Sequence, residues 1–75
     1  MITAYILMQL KTTDPRAAII TIREVAGVKQ AHLVAGPTDC IAYVEASDQE
    51  AMGNILMAVR SSGEVPSTDT RIVLA

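Results

Sequence analysis

Residues 2–11 read ITAYILMQLK, which in an extended chain puts Ile2, Ala4, Ile6, Met8 and Leu10 on one side and Thr3, Tyr5, Leu7, Gln9 and Lys11 on the other. Side chains alternate along a strand, so one side of this segment is wholly apolar and the other partly so. Such a strand needs cover above and below. The segment has no basic leader and no small-residue cleavage pattern, and it is too short to cross a bilayer, so it reads as a buried strand rather than a targeting or membrane segment.

Each later element has its own start and stop signals. Asp14 is a helix cap and Pro15 suits a first turn, where its missing N–H costs nothing. The stripe Ala18, Ile19, Ile22, Val25 and Ala26 then predicts a helix to about Ala26, ended by Gly27. Residues 28–35 read as a strand, Gly36-Pro37-Thr38-Asp39 as a turn, and residues 40–46 as the returning strand. Ser47 and Glu50 have capping-box spacing, and Met52, Ile55, Leu56 and Val59 trace a second helix that closes between Arg60 and Gly63. Residues 67–75 make a last strand, with Thr68, Thr70, Ile72 and Leu74 on one face.

The order is βαββαβ, and the two halves echo each other, which predicts a single α+β domain over residues 1–75 of ferredoxin-like plan. Both helices then cover one face of a four-stranded antiparallel sheet. The other face stays open unless a second sheet covers it, as in a dimeric α/β barrel.

Size sharpens that expectation. A chain of 75 residues buries only roughly 60% of the surface it exposes when unfolded. Phe and Trp are absent and Tyr occurs twice, so the core is aliphatic, and the surplus of aliphatic surface asks for a homo-oligomer. The net charge is −2, and Lys11, Arg16, Arg23, Lys29, Arg60 and Arg71 are spread along the chain, which gives no basic stripe for direct nucleic-acid binding. Cys40 is the one cysteine. It cannot form an intrachain disulfide, no metal-ligand or redox cluster accompanies it, no cofactor is implied, and a reducing cytoplasm fits.

Few residues carry chemistry. His32, the single histidine, is a candidate general base for a cofactor-free enzyme of the dimeric barrel type, against the plainer reading of an exposed or interface side chain. Cys40 follows an acidic residue at a strand start, where a packing role outweighs a reactive one. In the turn, Gly36 lets a ligand approach the backbone, and Asp39 can accept an ammonium group. Thr68 and Thr70 could offer hydroxyls to a ligand carboxylate, although threonine is also common in strands.

Val25-Ala26-Gly27-Val28, the run from Ala31 to Ala46 through Gly36-Pro37-Thr38-Asp39, and the closing Val65 to Leu74 together resemble the effector module of Lrp/AsnC transcription regulators, the RAM domain. The likeness spans essentially the whole chain and rests on the joint order of motifs that are individually weak. It implies a domain without catalysis that binds an amino acid or similar effector and dimerises through its sheets into rings of eight or ten subunits. It also implies ligand contacts at Gly36 and Asp39, with Thr38, Cys40, Thr68 and Thr70 as further contacts. The chain departs from the family pattern at Thr38, where an aromatic is common, and at Glu64, which separates Gly63 from Val65. It begins at the first strand without room for a helix-turn-helix, so the expectation is a stand-alone effector domain that acts through partners such as a full-length regulator of the same family.

Overall fold

The computed structural model describes residues 1–62 and 65–75. Strand β1 (Ile2–Gln9) is followed by α1 (Pro15–Arg23), β2 (Val28–Leu33), β3 (Cys40–Ala46), α2 (Gln49–Ser61) and β4 (Ser67–Ile72). The strands form one antiparallel sheet in the order β2-β3-β1-β4, which places the apolar β1 inside and leaves β2 and β4 as edges. This is the ferredoxin-like arrangement that the doubled βαβ pattern predicts.

Register decides which side is buried. Ala4 pairs with Val44, Ile6 with Ala42 and Met8 with Cys40. All six are fully buried, in one core with Ile19 and Ile22 of α1 and Met52, Ile55 and Val59 of α2. Both helices therefore cover the same face, and the intervening residues face away from them. There Tyr5 pairs with Tyr43 and Leu7 with Ile41, and the two tyrosine rings lie 5.1 Å apart between centroids. Tyr5 remains 46% exposed, so the second apolar side lacks the cover its sequence demands.

The elements end earlier than periodicity alone suggests, and for β1, β2 and α1 a hydrogen bond accounts for it. Strand β1 stops at Gln9 because the Leu10 N–H donates to the Asp39 carboxylate at 3.0 Å. Strand β2 stops at Leu33 because the Val34 N–H donates to the Asp39 carbonyl at 3.0 Å and closes the turn. Strand β4 ends at Ile72, although the Val73 N–H still reaches the Thr3 carbonyl at 2.9 Å. Helix α1 ends at Arg23 rather than near Ala26, since the Val25 N–H bonds back to Ile22 and tightens the exit. Gly27, at φ 96°, then makes the reversal. A side chain there would press on Ile55 and come within 3.1 Å of the Glu45 carbonyl, so this position needs glycine on two counts.

Helix α2 corrects one expectation outright. Its cap is Asp48, whose carboxylate accepts the Ala51 N–H at 2.8 Å, so Ser47 and Glu50 do not form the expected capping box. The carboxylate one residue on takes the Ala51 amide, where a Ser47 cap would take that of Glu50, and it adds a negative charge at the positive helix end. Asp48→Ala is expected to lower stability by about 1 kcal/mol, whereas Ser47→Ala stays within about 0.5 kcal/mol, read as the difference in urea midpoints. The expected glycine stop at Gly63 and the spacing set by Glu64 lie outside the described residues.

Candidate functional site

The turn between β2 and β3 is tied to the far end of β1. Gly36 takes φ 131°, with nothing within 4 Å of where a side chain would start. Asp39 holds three ties at once. Its N–H donates to the Met8 carbonyl at 3.0 Å, its carbonyl accepts from Val34 N–H, and its Oδ2 accepts from Leu10 N–H. The Gln9 side-chain amide adds a short hydrogen bond to the Pro37 carbonyl.

This bracing shapes a recess of ≈ 260 Å³ lined by Leu10, Thr12, Pro15, Leu33, Val34 and Asp39. Its walls are aliphatic. The polar groups are the half-buried Asp39 carboxylate and the Thr12 hydroxyl, whose oxygen accepts the Asp14 N–H at 3.0 Å and whose proton is left to donate. A concave apolar site with a few placed polar groups suits a small amphiphile. A carboxylate on such a wall binds an ammonium through a charge-assisted hydrogen bond.

Of the residues singled out in the sequence, Gly36, Thr38 and Asp39 share this turn, but only Asp39 lines the recess. Cys40 is fully buried beneath the helices. Burial pushes its thiol above the ordinary cysteine range, and the nearby Arg23 charge opposes that shift less strongly. Thr68 and Thr70 are half-buried on β4, opposite Met8 and Ile6. They stand two strands from Cys40 and Ala42, about 10 Å away, and they do not line the recess. Sequence reasoning missed Leu10, Thr12, Pro15, Leu33 and Val34. They come from two separate stretches, and no local motif joins them.

His32 is exposed on edge strand β2, opposite Ile41 on the face away from the helices. Among the described residues no side chain hydrogen-bonds it, and no group of three or more His, Cys, Asp or Glu could hold a metal ion. A general base needs an orienting partner, and none is in place among the described residues. Among the described residues, no helix is long and apolar enough to cross a membrane.

The family model described as the Lrp/AsnC ligand binding domain matches residues 3–75. No curated protein matches by sequence. Among solved structures, the chain is similar to TTHA0845 of Thermus thermophilus, with 28% identity over 100% of this chain and 95% of that one and a TM-score of 0.90. It is also similar to Escherichia coli AsnC, at 24% identity and TM-score 0.89, where 99% of this chain matches 51% of the longer one. A third similar structure is the transcriptional regulator NMB0573 of Neisseria meningitidis in complex with L-Met, at 19% identity and TM-score 0.86, covering 99% of this chain and 50% of that one. The last two likenesses, at lower identity, concern the fold.

Proposed function

Because the chain belongs to the Lrp/AsnC ligand binding domain family, we propose that it senses an amino acid or a related small metabolite and passes on its occupancy through assembly rather than catalysis. The observation that carries this reading is the half-buried Asp39 carboxylate on the wall of an aliphatic recess, held in place by the Leu10 amide. Asp39 receives the ligand ammonium. The backbone N–H groups of Gly36 and Thr38 receive its carboxylate, and Leu10, Leu33 and Val34 receive an apolar side chain. The L-Met bound by the Neisseria regulator belongs to the same chemical class. Thr38 and Cys40 flank the turn, and Thr68 and Thr70 are contacts of second rank that meet the ligand from a neighbouring copy.

The open sheet face, with Tyr5, Leu7, Ile41 and Tyr43 at its centre, supports a homodimer packed sheet on sheet. Dimers then join into octamers or decamers in the cytoplasm, alone or mixed with a full-length regulator of the same family. DNA contact belongs to that partner, since the net charge of −2 favours no phosphate backbone.

A thermal-shift screen across the amino acids tests the proposal. At a ligand concentration 100 times Kd, stability rises by about 2.7 kcal/mol, which for a domain of this size is an upward shift of roughly 10–20 °C. If no amino acid moves either the melting temperature or the assembly mass, the recess is not an effector site. The domain is then an oligomerisation module only.

A further inference from the structure

We propose a second ligand site, for a small phosphorylated polyanion, at the outer edge of β2 where α1 packs beside it. Two recesses adjoin there, of ≈ 330 and ≈ 300 Å³, and both are lined by Arg23 and His32. Lys29 completes the first and Arg16 the second. Three of the six lysines and arginines of an acidic chain thus gather at one place, whereas His32, although it borders both recesses, stands opposite Ile41 on the sheet face away from α1. No Asp or Glu lines either recess.

Among the described residues, no ion pair engages these basic groups. Among the described residues the ion pair present is Arg71 with Asp69, on β4. Asp14, close to Arg16 in sequence, spends its carboxylate capping the Ala17 N–H. Glu24, next to Arg23, lines neither recess.

Arg23 also has defined geometry. Its Nε–H donates to the Ala31 carbonyl at 2.9 Å, an acceptor on the edge strand. That bond fixes the guanidinium plane and leaves the terminal N–H groups as a fork, the arrangement that binds phosphoryl oxygens in bidentate fashion. Lys29 sits at the irregularity between Val28 and Gln30, where an extra residue re-aims its side chain. Ile20, 57% exposed, and Leu33, 38% exposed, form an apolar shelf beside the cations. Together these features suit phosphoryl groups on the Arg23 side and an organic portion on the shelf.

This site is separate from the Asp39 recess, so either can fail alone. The test is calorimetry at low salt with the whole protein, using inorganic tripolyphosphate and ATP, both without metal. Binding of either is expected to weaken roughly 10- to 150-fold in Arg16→Glu/Lys29→Glu, the loss of charge-assisted contacts. Both residues are exposed, so the variant keeps its fold, checked by circular dichroism. Arg23→Lys keeps the charge but loses the fork, and it is expected to weaken binding as well. Tighter binding of ATP than tripolyphosphate assigns the shelf to the organic portion, and equal binding restricts the site to the phosphoryl groups. Absence of binding by both probes, or equal affinity in the charge-reversed variant, overturns the proposal. So does capture of an acidic peptide in place of the two phosphates.

Discussion

Ile41→Glu is expected to leave the protein monomeric by breaking the proposed sheet-on-sheet dimer, and Ile41→Lys to do the same. Ile41 lies on the inner strand β3, opposite both Leu7 and His32, on the sheet face that no helix covers. In a sheet-on-sheet dimer a charge there is desolvated without a partner, at a cost of roughly 3–5 kcal/mol per buried site. An isologous interface places two such charges, so the dimer Kd rises by several orders of magnitude. Sedimentation equilibrium at micromolar protein reads the change directly. Equal effects of both signs identify desolvation as the cause. An unchanged mass in both variants means that the open face is not where copies meet.

Asp39→Ala is expected to act twice. In the protein alone it leaves the Leu10 N–H without its acceptor, which costs about 1–3 kcal/mol where the amide is shielded from water. On the proposed reading it also removes the partner of an effector ammonium, and binding is expected to weaken roughly 10- to 150-fold. Asp39→Asn separates the two. It retains an oxygen for Leu10 and so recovers stability, but its neutral amide cannot replace the charge, and affinity stays low. Urea melts and calorimetry on the same preparations check both halves. If Asp39→Asn binds effector as well as the native protein does, Asp39 has a structural role alone.

The sequence carried most of the architecture because its signals are local. Alternation along residues 2–9 names the buried side of β1, Asp14-Pro15 opens α1, and Gly27 marks the reversal. The cap of α2 lies one residue beyond the expected one because Ser47 and Asp48 both suit a cap, and only the tertiary position of the chain decides whether the helix starts with Ser47 on the Glu50 amide or with Asp48 on that of Ala51. The strand ends were overextended for a related reason. Leu10 and Val34 continue the apolar pattern, yet their amides are taken by Asp39, which is distant from Leu10 in sequence.

The candidate site was legible only in its polar centre. Gly36 and Asp39 stand out as a glycine near a carboxylate in a turn, whereas Leu10 and Thr12 reach the Asp39 recess from the β1–α1 connection and Pro15 from the first turn of α1. Nothing in their own neighbourhood marks them as its walls. The basic cluster at β2 is hidden in the same way, since Arg16, Arg23 and Lys29 look evenly scattered until α1 folds back along the edge strand.

The position of β1 between β3 and β4 has a further bearing on how the chain is made. A ribosome releases β1 before both of its neighbours, so the nascent segment waits with two open edges and aliphatic side chains on either side. Pairings this remote along the chain close slowly, and exposed strand edges of this kind invite aggregation in the interval. Newly synthesised protein therefore depends on timely completion of its C-terminal strand, and a chain truncated before Ser67 leaves the central strand permanently half-paired.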